Sequence, residues 1–121
     1  MPKLLIVDDE VDVREFAGNF FRKRGVDVVL SSGGAEALTL IADHRPDLVL
    51  LDIRMAEISG MDVLRQIRAA QDGVRVVMVS GLEDDSIVAE AKNLGAVTFI
   101  HKPLVLEELE NVVLRELGLK S

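Results

Sequence analysis

Four short polar groups stand directly after apolar runs in this 121-residue chain: Asp8-Asp9-Glu10, Asp52, Ser80-Gly81 and His101-Lys102-Pro103. Brought together, they would form a compact set of acids, a hydroxyl and an ammonium. Two carboxylates within ~5 Å repel by roughly 3 kcal/mol at an effective dielectric near 20. A cluster of Asp8, Asp9 and Asp52 therefore needs protonation, a metal ion or the Lys102 ammonium to offset it. A hard cation suits an all-oxygen donor set, and Mg²⁺ binds through one or two carboxylates with water and phosphate oxygens. An aspartate can also attack a phosphoryl group to give an acyl phosphate. A metal, a lysine and a hydroxyl or backbone N–H would then hold the phosphoryl oxygens. Each group also has a plainer use. Acids complement a helix dipole, a lone Asp turns or caps the chain, Ser80 can be a loop hydroxyl, and Lys102-Pro103 can simply open a helix.

Whether these groups meet depends on the elements that carry them. Short apolar runs at residues 4–7, 26–30, 48–51, 74–79 and 97–100 alternate with amphipathic stretches. Leu4-Leu5-Ile6-Val7 and Leu48-Val49-Leu50-Leu51 are continuously apolar, as in strands covered on both faces; the second is the most apolar and is expected at the centre. The first helix carries Val13, Phe16, Ala17, Phe20 and Phe21 on one stripe and ends at Gly25 after Arg22-Lys23-Arg24. The second, 35–43, turns Leu38, Ile41 and Ala42 inward. The third, 59–70, opens with a capping box of Ser59 and Asp62 and buries Met61, Leu64 and Ile67. A fourth is expected from Asp84 to residue 94, ended by Gly95. A fifth spans 104–117, with Leu106, Leu109, Val112 and Val113 on one side. Five strands joined by crossover helices imply an α/β fold, a parallel sheet with helices on both faces. Ligands of such sheets gather at the carboxyl ends of the strands, where strand order reverses. The four polar groups stand at such ends.

Composition narrows the function classes. With 21 acidic against 14 basic side chains and a formal charge of −7, the chain lacks the clustered positive charge of a nucleic-acid surface. Four Phe and no Tyr or Trp leave no base-stacking platform. Absence of Cys removes disulfides, thiolate nucleophiles and zinc–thiolate sites, and is compatible with a reducing cytosol. No apolar run approaches the ~20 residues of a membrane span.

Leu5-Ile6-Val7-Asp8-Asp9-Glu10, Leu50-Leu51-Asp52-Ile53-Arg54-Met55 with Ser59-Gly60-Met61, Val79-Ser80-Gly81, Gly95-Ala96 and Phe99-Ile100-His101-Lys102-Pro103 together resemble the receiver domain of two-component response regulators. The resemblance covers the whole chain, so residues 1–121 are expected to be one such domain. It implies a doubly wound, flavodoxin-like three-layer sandwich of five parallel strands in the order 2-1-3-4-5 with five helices. It implies a phosphorylation-activated signalling switch, one that promotes its own phosphorylation and dephosphorylation rather than turning over a substrate. Asp52 resembles the phosphoacceptor, served by a sensor histidine kinase, a phosphotransfer protein or a small phosphodonor. Asp8 and Asp9, with Asp52 and the Arg54 carbonyl, resemble the ligands of Mg²⁺, or of Mn²⁺ in its place. Lys102 resembles the ammonium that meets the phosphoryl oxygens, Ser80 the switch hydroxyl with the Gly81 N–H nearby, and Phe99 the switch aromatic. The output face would be the fourth helix, fifth strand and fifth helix, meeting a downstream domain or protein or a second copy on phosphorylation. The setting is expected to be cytoplasmic, without nucleic acid or membrane.

Departures from the pattern carry expectations of their own. Ala56 replaces the usual Pro, which should leave that loop less restricted, and Phe99 brings no hydroxyl. Arg54 and Leu82 should shield the acyl phosphate from water and slow its loss. The Lys102–Pro103 bond is expected to be cis. His101 reads as a spacer, and Glu57 has no assigned role. A metal-dependent aspartyl phosphatase is disfavoured, because its second Asp two residues after the nucleophile is missing: Asp8 is followed by Glu10 and Asp9 by Val11. A nucleotide or flavin site would want N–H groups rather than acids after the first strand. A receiver-like docking module without phosphorylation would not need all five chemical positions.

Overall fold

The computed structural model of the chain describes residues 1–70, 72–81 and 85–119. Strands β1 (Lys3–Val7), β2 (Asp27–Ser31), β3 (Leu48–Asp52), β4 (Arg75–Ser80) and β5 (Thr98–His101) alternate with helices α1 (Val11–Arg22), α2 (Gly34–His44), α3 (Gly60–Ala69), α4 (Asp85–Asn93) and α5 (Leu106–Glu116). All strand pairs are parallel and the sheet order is β2-β1-β3-β4-β5, with β3 at the centre as expected.

Side chains alternate across each strand, so each apolar run feeds two cores. Leu4, Ile6, Leu48, Leu50, Val77 and Val79 pack with α1 and α5 through Ala17, Phe21, Leu109 and Val113. Leu5, Val7, Val49, Leu51, Val76 and Met78 pack with α2, α3 and α4 through Ala37, Ile41, Leu64, Ile67 and Ala91. This two-sided burial is why β1 and β3 read as unbroken apolar runs.

Three inward assignments are corrected. Phe16 is 57% exposed, because α1 docks through Ala17, Gly18 and Phe21 instead. A Cβ on Gly18 would lie 3.0 Å from a Leu30 methyl carbon, so glycine permits the close approach that turns Phe16 outward. Ala42 is exposed while Ala37 is buried, a stripe centred on positions 34, 37 and 41. Leu106 is 43% exposed in the first turn of α5, before the helix settles onto the sheet through Leu109, Val113 and Leu114. That helix starts at Leu106 rather than 104. The fourth helix was expected from Asp84, which lies outside the described residues; α4 runs from Asp85.

The order β2-β1-β3 places β1 between a strand that follows it and one reached by crossing back. The carboxyl ends of β1 and β3 are therefore neighbours at the reversal point. No helix among the described residues is long and apolar enough to cross a membrane.

Candidate functional site

Asp8 and Asp9 leave β1 where Val7 pairs with Leu51, and Asp52 is the last residue of β3. Oxygen atoms of Asp8, Asp9 and Asp52 lie within 4.8 Å of one another. Asp8 and Asp52 are 4% and 2% exposed, and Asp9 faces solvent.

Each acid accepts a backbone N–H, Asp8 and Asp52 from two residues on and Asp9 from the loop after β3. Asp8 Oδ1 accepts the Glu10 N–H at 2.9 Å, and the Asp8 carbonyl accepts Arg14 Nη1 at 2.7 Å, fixing the entry to α1. Asp52 Oδ1 accepts the Arg54 N–H at 3.1 Å. Asp9 Oδ2 accepts the Ala56 N–H at 2.9 Å. The loop after β3 is therefore tied to the loop after β1. A proline at that position has no N–H to give, so alanine makes this tie available.

The Lys102 ammonium reaches Asp52 Oδ2 at 2.9 Å from the end of β5. The Lys102–Pro103 bond is cis, and the Lys102 N–H donates to the Ser80 carbonyl at 2.8 Å. Burial works against the Lys102 charge, but the Asp52 hydrogen bond and the charges of Asp52, Asp8 and Glu10 outweigh it and raise its pKa. Asp8 is pushed up to about 6, chiefly by burial and further by the Asp52 and Glu10 charges. The Glu10 N–H bond and Lys102 pull the other way. One ammonium thus leaves three clustered carboxylates under-neutralised. An all-oxygen donor set with unrelieved negative charge suits a hard divalent cation.

Helix α3 starts beneath this site. Ser59 caps it, its Oγ accepting the Asp62 N–H at 3.2 Å as the capping box requires. Gly60 donates to the Ile53 carbonyl at 2.8 Å, and a Cβ on Gly60 would stand 2.2 Å from the Asp52 carbonyl oxygen. Only glycine lets the helix start this close to the strand end that presents Asp52.

The sequence model of the response regulator receiver domain matches residues 4–114. The chain belongs to this family. Among curated relatives, sporulation initiation phosphotransferase F of Bacillus subtilis is 33% identical over 119 residues, covering 98% of this chain and 96% of the relative. Regulatory protein AtoC of Escherichia coli is 36% identical over 119 residues, but this chain spans only 26% of its length. The receiver domain of Francisella response regulator 1452 superposes with a TM-score of 0.90 at 26% identity, covering 98% of both chains. A response regulator receiver protein from Pseudomonas putida gives 0.89 at 34% identity, covering 94% of this chain and 96% of that one.

Of the receiver positions expected from sequence, Asp8, Asp9, Asp52 and Lys102 come together. Ser80 ends β4, buried, and Gly81 follows it. Phe99 is half-buried on β5, against the core shared with α3 and α4. Arg54 is exposed at the lip of the site, and Leu82 lies outside the described residues. His101, expected as a spacer, has its Nδ1 3.1 Å from Ser80 Oγ. The pairing of Ser80 with His101 across β4 and β5 carries that contact. The strand periods alone do not reveal it, since they leave register open.

Proposed function

We propose that residues 1–121 act as a phosphorylation switch in which Asp52 is the phosphoacceptor. The observation that carries this is the junction of three carboxylates within 4.8 Å with the Lys102 ammonium 2.9 Å from Asp52, at the reversal point of the sheet. An Asp52 oxygen forms the new P–O bond as the P–N bond of a phosphohistidine, or the P–O bond of an acyl phosphate, breaks. The leaving nitrogen or carboxylate keeps the bonding electrons. Lys102, already aimed at Asp52, follows the transferred phosphoryl oxygens. Asp8, Asp9, Asp52 and the Arg54 carbonyl would hold Mg²⁺, which when bound neutralises charge on the acids and phosphoryl oxygens.

Phosphorylation adds about −1.5 to −2 charges and new acceptors for the Ser80 hydroxyl. Ser80 turning inward leaves room for Phe99, and the α4–β5–α5 face changes shape for a downstream domain, protein or second copy. The phosphodonor is a sensor histidine kinase or phosphotransfer protein, in the cytoplasm. Val11, Phe16, Val105 and Leu106, all exposed near the same end of the sheet, offer that donor apolar contact.

Incubation with acetyl phosphate and Mg²⁺, read by intact mass, should add one phosphoryl group to the protein and none to Asp52→Asn. Unchanged uptake by Asp52→Asn would refute the assigned nucleophile. Uptake by neither protein would favour a docking module.

A further inference from the structure

The Ser80 side chain is buried at 1% exposure, yet its contact lies outside the acid cluster. Ser80 and His101 are direct partners in the β4–β5 register, and Ser80 Oγ lies 3.1 Å from His101 Nδ1. A buried hydroxyl proton is almost always donated to an acceptor. Among the described residues, His101 Nδ1 is the hydrogen-bond partner of this hydroxyl. Donation by Ser80 requires a His101 Nδ1 that carries no proton. Asp52 is satisfied separately, by Lys102 and the Arg54 N–H. His101 also stands two residues after Phe99 on the same side of β5, where both border the cleft against α4 at Val88 and Lys92.

We propose that His101 is a positioning residue of the switch: its Nδ1 accepts the Ser80 hydroxyl hydrogen bond at rest and gives that bond up when Asp52 is phosphorylated. This rests on the phosphorylation reading above. The hydroxyl then exchanges a neutral nitrogen for a charged phosphoryl oxygen. Hydrogen bonds to an ionised acceptor are roughly twice as strong as neutral ones, so the exchange runs forward when the phosphoryl group is present and back when it is lost. His101 therefore sets how much of the phosphoryl group's attraction for Ser80 is consumed in freeing it. The released imidazole stands on the α4–β5 face, which joins the site directly to the output surface beside Phe99.

The test uses beryllium fluoride with Mg²⁺ as a phosphoryl analogue, its binding to the intact chain followed by calorimetry and fluorine NMR. Loss of one competing neutral hydrogen bond should make His101→Ala bind about three- to tenfold more tightly. His101→Asn, whose Oδ1 can accept the same hydrogen bond, should stay within about twofold of the unsubstituted protein. In a Ser80→Ala background, His101→Ala should change nothing, whereas a merely structural effect would persist. Unchanged or weaker binding by His101→Ala, or an effect surviving in Ser80→Ala, overturns the proposal. Nitrogen-15 spectra of the resting protein should show Nδ1 without a proton, and a protonated Nδ1 would overturn it equally. If the unsubstituted protein takes no beryllium fluoride, the phosphorylation reading fails and this proposal fails with it. Binding by that protein without a response in His101→Ala refutes the latch alone.

Discussion

Removing a site acid should stabilise the metal-free protein, and Asp8 is the residue on which the size of the effect can be worked out. Its pKa is raised from 3.8 to about 6, mainly by burial and then by the Asp52 and Glu10 charges against the pull of the Glu10 N–H and Lys102. Between those two values the folded state binds more protons than the unfolded one, so stability falls as pH rises through the window. Below about pH 3 both states hold the proton and Asp8 is neutral in its effect. Above about pH 7 both have lost it, and the folded state bears the full cost. At ~1.36 kcal/mol per pKa unit, a shift of this size costs about 3 kcal/mol. Water reaching the neighbouring exposed Asp9 screens part of this, leaving about 2–3 kcal/mol. Asp8→Asn removes the charge and keeps the Oδ1 that accepts the Glu10 N–H.

Urea unfolding in EDTA at pH 4, 5, 6 and 7.5 would measure this, because the difference between unsubstituted and Asp8→Asn protein cancels the other titrating groups. The expected difference is about 0.5 kcal/mol at pH 4 and grows to about 2–3 kcal/mol in favour of Asn at pH 7.5. Saturating Mg²⁺ should raise the stability of the unsubstituted protein through mass action and do much less for Asp8→Asn. Two results would refute the reasoning: Asp8→Asn less stable than the unsubstituted protein at pH 7.5 in EDTA, or an equal advantage at pH 4 and 7.5.

Gly60→Ala forces a Cβ against the Asp52 carbonyl oxygen and the Ile53 Cα; it should cost about 3 kcal/mol by urea unfolding and slow phosphoryl uptake. Arg68→Ala should cost about 2–3 kcal/mol, because the guanidinium serves the carbonyls of Asp72, Val74, Leu94 and Gly95 and joins α3 to both turns beside it. Lys102→Met leaves the buried Asp52 without its ammonium; metal-free protein should lose about 2 kcal/mol at pH 7.5, and less once Asp52→Asn is combined with it. With Arg54 at the lip of the site, the phosphorylated form in Mg²⁺ should decay over minutes or longer by intact mass; decay within seconds would rule out shielding.

Much of the site was legible because its residues follow the two least ambiguous strands. β1 and β3 are buried on both faces, and the polar residues that interrupt such runs mark their ends. Helix faces were harder to read. Phe16, Ala42 and Leu106 fall on helical stripes by spacing, yet each lies outside the surface that docks. Near-equivalent stripes one position apart are separated only by what stands opposite, as when Leu30 fits against Gly18. Contacts such as Ala56 with Asp9 and His101 with Ser80 depend on loop path and register, which hydrophobic period does not encode.

The division of the site between strands explains how it can be both crowded with charge and able to switch. Asp8, Asp9 and Asp52 stem from the inner strands β1 and β3, whose neighbours and two covering layers resist the repulsion among the acids. Ser80 ends the inner strand β4, whereas Phe99 and His101 stand on β5, the edge strand, four residues long and only half-buried over Thr98 and Phe99, and Lys102 follows it. Movement of β5 breaks few apolar contacts, whereas movement at β3 or β4 would open both cores. The charge that drives the switch is thus generated between inner strands, and one partner of the Ser80–His101 contact it can rearrange stands on the edge strand. A further acid introduced beside Asp52 would load the rigid part, but a change at His101 alters the yielding part alone. That difference is why His101→Ala should shift the switch while leaving the acids where they are.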